Sequence, residues 1–152
     1  MLAAGESSRL NQSLVYRQRV ATQAGFNADL RVGPGLLIAY AIAAGGKSPA
    51  DLQAALLAEV TRLATVPPSA AELAKVKTQL VTAALTSRQT PLGLASAIAE
   101  AAVLEGDPAR VNTELDDLQR VSAADVQRVM QHYIIDTHKV TIDYRQEQVA
   151  KK

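Results

Sequence analysis

The chain has 152 residues, 48% of them hydrophobic and 3% aromatic, and its 16 basic and 15 acidic side chains give a net charge of +1. This length and apolar content predict a folded domain with a sizeable core rather than a disordered chain. The near-neutral charge gives no support for binding to nucleic acid or to a membrane surface. The absence of cysteine excludes disulfides and thiolate metal sites, but it leaves the bacterial periplasm and the cytoplasm both open as compartments.

The N-terminal part of the sequence predicts a helix followed by a strand. Either Ser7 or Ser8 can cap a helix that runs to about Ala21. Residues 23–31 then alternate between apolar and polar side chains, as in a strand with one face toward the core and one toward solvent.

A second strand is predicted directly after a Gly-Pro-Gly turn at residues 33–35. Residues 36–44 are apolar on both faces, with large side chains on one face and mainly alanine on the other. This pattern predicts a central strand covered on both sides, in which Ile38→Asp or Ile42→Asp would bury an unpaired carboxylate.

Five helices are predicted next, because each of five segments combines an N-terminal cap with an apolar stripe. They are expected at about residues 49–66, 70–88, 91–106, 108–118 and 123–133. Their cap residues are Ser48, Ser69, Thr90, Asp107 and Ser122.

A last strand is predicted at residues 139–145, where apolar and polar side chains alternate again. The order of elements predicts an α+β fold, with a small antiparallel or mixed sheet and helices packed mainly on one face. Residues 1–147 are predicted to form a single domain, and residues 148–152 a frayed tail. No targeting or membrane-spanning segment is evident, since the apolar run at 36–44 is too short to cross a bilayer.

Residues that could carry catalysis are sparse. His132 and His138 are six residues apart, and no carboxylate completes a zinc-binding spacing around them. The sequence has no cysteine nucleophile and no Gly-x-Ser-x-Gly motif, and the Gly-Lys-Ser at residues 46–48 lacks the first glycine of a phosphate-binding loop. We therefore predict neither a catalytic residue nor a metal ligand in this chain.

Four short motifs, taken together, are more informative than any of them alone. They are Gly-Glu-Ser-Ser-Arg-Leu at 5–10, Leu-Val-Tyr-Arg-Gln-Arg at 14–19, Ser-Ala-Ala-Glu-Leu-Ala-Lys at 69–75 and Val-Ser-Ala-Ala-Asp-Val at 121–126. In this order and spacing the chain resembles the pitrilysin/insulinase-like zinc metallopeptidases, the family that includes mitochondrial processing peptidase. The resemblance extends from Gly5 to about Tyr144. It implies a domain that normally has a strand and the start of a helix before this point.

The family's zinc site requires a His-x-x-Glu-His helix and a further Glu, and this sequence contains neither. The resemblance therefore implies a non-catalytic domain of the C-terminal type, with zinc held by a partner domain. Active members also carry an Arg on the first helix and a Tyr seven residues later, which help hold the substrate. Our alignment places Val15 and Thr22 at those two positions.

A few polar residues remain as candidates for contact with a peptide, although a solvated strand face is the simpler interpretation of the same pattern. They are Asn27, Asp29, Arg31 and Arg19. The expected partners are a zinc-bearing peptidase domain or subunit and the peptide substrate of that assembly. Two alternatives stay open: a structural subunit of the same fold without protease activity, and an unrelated helical interaction module.

Overall fold

The computed structural model describes residues 1–3, 5–135 and 137–144 and shows an α+β fold. A π-helical segment, Asn11–Arg17, precedes the strands β1 (Ala21–Arg31) and β2 (Gly33–Ala43). The helices are α1 (Pro49–Thr65), α2 (Ala70–Ser87), α3 (Pro91–Leu104), α4 (Glu114–Arg120) and α5 (Ala123–Met130). A 3-10 turn (Pro108–Asn112) precedes α4, and a second π-helical segment (Gln131–Ile135) follows α5.

The two strands form an antiparallel hairpin, and they are the only strands among the described residues. Arg31 already pairs with Gly33, so the chain reverses at Val32 and the predicted turn at 33–35 is wrong. A Cβ on Gly35 would lie 2.4 Å from the backbone oxygen of Asp29. The glycine is therefore needed because two backbones approach closely within the hairpin, and not because the chain turns there.

The two faces of the hairpin differ in their surroundings. The inner face, made by Ala24, Phe26, Ala39 and Ala41, packs against the hydrophobic core, and Ala24 is only 6% exposed. The outer face carries the large side chains of β2. We call them the outer row: Leu36, Ile38, Tyr40 and Ile42, which are 56%, 43%, 39% and 53% exposed. The prediction that β2 is covered on both faces is therefore wrong in the described part of the chain, because helices pack only on its alanine side.

The core lies between the inner face, the N-terminal π-helical segment, α1 and the end of α5. Leu10 and Leu14 of the N-terminal segment are completely buried, and Leu63 of α1 is 2% exposed. Small alanines on the inner face allow the large side chains of α1 to approach the sheet. The apolar stripe of α1 that the sequence predicted is thus directed at the core.

The N-terminal helix differs from its prediction in its cap and in its end. Neither serine caps it, since Ser7 accepts a hydrogen bond from the Lys75 ammonium and the buried Ser8 hydroxyl has no partner among the described residues. The helix ends at Arg17 and not near Ala21. Arg19 adopts φ of +53°, a left-handed conformation that a helix cannot continue through.

A buried polar chain fixes this helix end against α1. The Ser13 hydroxyl donates to the carboxylate of Glu59 at 2.7 Å and accepts from the Gln18 amide at 2.7 Å. Glu59 is 8% exposed, and one of its oxygens has no partner among the described residues. The hydrogen bond to Ser13 holds Gln18 in place directly before Arg19, whose left-handed conformation ends the helix.

Four of the five predicted caps make the expected side-chain hydrogen bond. The cap residues Ser69, Thr90, Asp107 and Ser122 each accept from a backbone N–H two or three residues later. Ser48 occupies the cap position of α1 without such a bond. The helix predicted at 108–118 is interrupted, because it consists of the 3-10 turn and α4.

The predicted last strand is absent from residues 139–144. Within the described residues this segment pairs with no strand, and its apolar side chains Val140, Ile142 and Tyr144 are 89%, 68% and 93% exposed. Alternation alone cannot produce a strand, because the backbone groups need a neighbouring strand to bond to. The Gln53 side-chain amide of α1 donates a 3.4 Å hydrogen bond to the Thr141 hydroxyl of this segment. Arg145 and the predicted tail at 148–152 lie outside the described residues.

A bidentate ion pair joins the N-terminal segment to the start of α2. The Arg9 guanidinium donates to both carboxylate oxygens of Glu72 at 2.8 Å, and also to the backbone oxygens of Val66 and Pro67. The hydrogen bond from Arg9 holds the pKa of the Glu72 carboxyl below its ordinary value. The pair therefore fixes the loop before α2 through a charged group whose state depends on pH.

Because the folded-state pKa of Glu72 is depressed, its contribution to stability is present above the ordinary carboxyl pKa and is lost as pH falls through the folded value. We expect Glu72→Gln to lower the free energy of unfolding by on the order of 1 kcal/mol at pH 7, since the pair is partly exposed. The difference between variant and wild type should shrink toward acid pH. Urea unfolding at a series of pH values measures it, and a difference that stays constant with pH would contradict the assignment.

Candidate peptide-contact surface

Strand register brings the predicted contact residues onto the outer face. Asn27 pairs with Ile38, and Asp29 pairs with Leu36. Directly opposed residues of an antiparallel pair project to the same side of the sheet. The polar side chains of β1 therefore lie beside the outer row of β2, and together they form one continuous surface.

A glycine shapes the middle of this surface. Gly25 pairs with Tyr40, and a Cβ built on Gly25 would lie 2.3 Å from the ring of that tyrosine. The Tyr40 ring therefore lies across β1 in the space that a side chain would occupy. Sequence reasoning missed this contact, although an isolated glycine inside an alternating strand is a signal of close approach.

The charges at the hairpin end of the surface neutralise each other. The Arg31 guanidinium donates to one Asp29 carboxylate oxygen through two nitrogens, at 3.0 and 2.5 Å. These hydrogen bonds raise the pKa of the Arg31 guanidinium, which stays protonated. Both side chains are exposed, so the pair adds polarity to the surface but little net charge.

Arg19 does not belong to this surface. It precedes β1, whereas Asp29 and Arg31 stand at the far end of the same strand. Ten residues of extended chain separate those ends by about 33 Å. Arg19 is exposed at the junction between the N-terminal segment and the sheet, so the structure groups three of the four predicted contact residues and separates the fourth.

Val15 and Thr22 are the positions aligned with the substrate-holding pair. Each contacts other parts of the fold. Val15 is partly buried and packs against the core. Thr22 lies in an irregularity of β1, where its hydroxyl donates to the backbone oxygen of Ile42 at 3.4 Å. Neither side chain offers a charge or a ring to a ligand. The correspondence of these positions to the family pair stays a prediction.

A cleft of about 270 Å³ lies between Leu30 and the C-terminal half of α3. Three carboxylates line it, from Glu100, Glu105 and Glu114. Two of them already have cationic partners, because Glu105 pairs with Arg110 at 2.8 Å and Glu114 with Arg88. Internal ion pairs therefore account for most of the acidic character of this cleft.

Within the described residues, no three His, Cys, Asp or Glu side chains are arranged as a metal site. His132 makes an edge-to-face contact with Tyr133, with ring centroids 4.6 Å apart, and His138 is exposed. None of the described helices combines the length and the apolarity needed to cross a membrane.

We expect the purified chain to retain no stoichiometric zinc after dialysis, because structural zinc sites need about four ligands in tetrahedral arrangement. Elemental analysis of the wild-type chain measures this directly. The double variant His132→Ala/His138→Ala is the matched control. One zinc per wild-type chain that disappears in the double variant would contradict the prediction.

Solved structures of several proteases share the fold of this chain. One, described as "putative zinc protease from Bordetella pertussis Tohama I", matches 89% of this chain and 74% of its own, with a TM-score of 0.76 and 25% identity. The inactive peptidase domain of a "putative zinc protease" from Bordetella parapertussis matches 98% of this chain and 80% of its own, with a TM-score of 0.82 and 24% identity. A protease from Helicobacter pylori matches 88% of this chain but only 32% of its own, with a TM-score of 0.76 and 21% identity.

The shared fold is therefore one found in peptidase domains. No family model matches the chain, and no curated protein matches it. The neighbours agree with the sequence resemblance at the level of fold and of zinc-protease type. The resemblance to the pitrilysin/insulinase-like family stays a prediction from the four sequence motifs.

Proposed function

We propose that this chain is a non-catalytic domain of a zinc-dependent peptidase of the pitrilysin/insulinase type. The observation that carries the proposal is the likeness over 98% of the chain to a peptidase domain that is itself inactive, in a chain whose sequence has no His-x-x-Glu-His motif. In this role the domain forms part of the wall around the peptide and packs on a zinc-bearing domain. Zinc belongs to that partner domain.

The outer face of the hairpin supports the role of a chamber wall. In the part of the chain that the structure describes, helices pack on the opposite face of the hairpin, so the outer row and the polar side chains of β1 are open to a ligand. A wall of this kind contacts a peptide through apolar and neutral polar side chains and needs no reactive group. The exposed Asn27 and the internally paired Asp29 and Arg31 fit that description.

Helix α3 supports packing against another domain. Glu100 is its one charged residue, yet Ala101 is its one buried residue. A helix that is apolar nearly all round is normally covered by protein. We propose α3 as the surface that meets the zinc-bearing domain. Its exposed large apolar side chains are Leu92, Leu94, Ile98 and Val103.

The experiment is a deletion in the complete assembly. Removing residues 1–145 should abolish peptide hydrolysis while the zinc content of the remaining assembly is unchanged, because the wall is lost and the metal site is elsewhere. Peptide hydrolysis and elemental analysis are measured on the same preparation. Full activity after the deletion would show that this domain does not complete the chamber.

The second candidate is a structural subunit of the same fold that serves no protease. The surroundings of Val15 and Thr22 favour it, since neither position provides the Arg or Tyr that holds substrate in active members. The same deletion separates the two candidates. A structural subunit predicts an assembly that dissociates on deletion and that has no peptidase activity before it.

A further inference from the structure

The outer row has the shape of a stripe and not of a broad patch. Its four side chains come from alternate positions of a single strand, Leu36 to Ile42, and so repeat every 6.8 Å or so over about 20 Å. Each is between 39% and 56% exposed. The apolar surface is therefore one side chain wide and about seven residues long.

Polar groups border the stripe along β1. Asn27 stands opposite Ile38, and the Asp29–Arg31 pair stands at the hairpin end. Gly25 adds no side chain, and the Tyr40 ring fills the space above it. A ligand that extended sideways over β1 would have to cover these polar side chains. They include the Asp29–Arg31 pair, whose members already bond to each other.

The size of the stripe argues against a second copy of the chain as its occupant. Stable protein pairs bury about 800 Å² on each partner. Four side chains about half exposed offer roughly half of that area, since even a large aromatic side chain covers only about 150–250 Å². The stripe is too small and too narrow for a domain interface, but its width and length match one extended chain.

We propose that the outer row binds a single extended peptide segment with apolar side chains at alternate positions. This inference rests on the proposed function, because it names the class of peptide that the chamber wall selects. An extended peptide projects alternate side chains to one face with the same repeat as β2, so its apolar side chains meet the row in register. A peptide with its apolar residues in one block directs half of them to solvent.

The test uses the complete 152-residue chain and two fluorescent nonapeptides of identical composition. In one, valine and threonine alternate. In the other, all valines are adjacent. Binding is followed by fluorescence anisotropy. The alternating peptide should bind about tenfold more tightly than the block peptide, and Ile38→Ser/Ile42→Ser should remove that preference. Leu85→Ser, at an apolar position of α2 that is 53% exposed like Ile42, is the control and should leave both affinities unchanged.

Three results would overturn the inference: equal affinity for the two peptides, a preference that survives in the double-serine variant, or a preference that Leu85→Ser removes. Sedimentation of the chain alone tests the competing occupant. A dimer that dissociates in Ile38→Ser/Ile42→Ser would assign the stripe to a second copy. Because peptide binding is measured without any protease, a failure here leaves the deletion experiment intact. Conversely, the stripe can bind peptide even if the deletion leaves peptidase activity unchanged.

Discussion

Ala24→Asp is expected to lower the free energy of unfolding by about 3–5 kcal/mol, whereas Ile38→Asp is expected to lower it by no more than about 1 kcal/mol. The two residues lie on adjacent strands of one hairpin but on opposite faces. Ala24 is 6% exposed against the core, and Ile38 is 43% exposed on the outer row. A carboxylate at position 24 would be buried among the apolar side chains of the core, so its desolvation would be costly.

Urea unfolding of both variants at pH 7 measures the difference. Domains of this size are stable by about 5–15 kcal/mol, so the Ala24 variant should lose a large share of its stability and unfold at a much lower urea concentration than the wild type. Ala24→Ser is the matched control, because it is nearly the same size and carries no charge. Similar losses for Ala24→Asp and Ile38→Asp would mean that the two faces of the hairpin are equally covered, contrary to the structure.

The second large effect concerns the N-terminal segment. Leu14 is completely buried between the inner face of the sheet and α1, and Leu14→Ala leaves a cavity that rigid neighbours cannot fill. We expect a loss of about 2–5 kcal/mol in the free energy of unfolding. The same measurement on Leu92→Ala, at a position that is 79% exposed, should give a change within about 0.5 kcal/mol.

If Leu14→Ala unfolds like the wild type, the π-helical segment is not an integral part of the core. That outcome would also mean that the buried Ser13–Glu59 hydrogen bond, which joins the same segment to α1, does not fix the segment in the core. Suppose that Leu14→Ala lowers the free energy of unfolding as expected and that Leu92→Ala also lowers it strongly. That combination would instead indicate that α3 is covered in solution.

The helices could be predicted from the sequence because their signals are local. A cap residue and the backbone N–H that it satisfies are two or three positions apart, as in Ser122 with Asp125, so both partners are visible in a short window. The side-chain cap predicted for the first helix failed for the opposite reason. The hydroxyl of Ser7 bonds to Lys75, 68 positions away, and no local pattern shows that contact.

The hairpin shows where strand prediction succeeds and where it stops. Alternation placed Asn27 and Asp29 correctly on one face of β1, whereas Arg31 lies beyond a shift in register. It could not show which face of β2 is covered, because both faces read as apolar and coverage depends on helices distant in sequence. Residues 139–144 alternate equally clearly. They form no strand, because the described part of the chain contains no neighbouring strand that pairs with them.

The candidate surface was predicted only in its polar half. The outer row was recognised as a set of large side chains, but its exposure was not expected. The contact between Gly25 and Tyr40 also depends on strand register, which a single sequence does not fix. Arg19 is separated from the other candidates because it precedes β1 and they lie in its second half. The strand begins at Ala21, two residues earlier than predicted.

The composition of β2 has a consequence for handling the protein. Gly33–Ala43 contains no charged residue, and β1 covers only one of its two edges within the described residues. Soluble proteins usually protect such an edge with lysine, a bulge or a covering segment, because bare backbone groups on an apolar strand recruit other chains into cross-strand aggregates. Overexpressed without a partner, the chain should therefore tend to precipitate as it folds, and a partner that covers this edge should act as its chaperone.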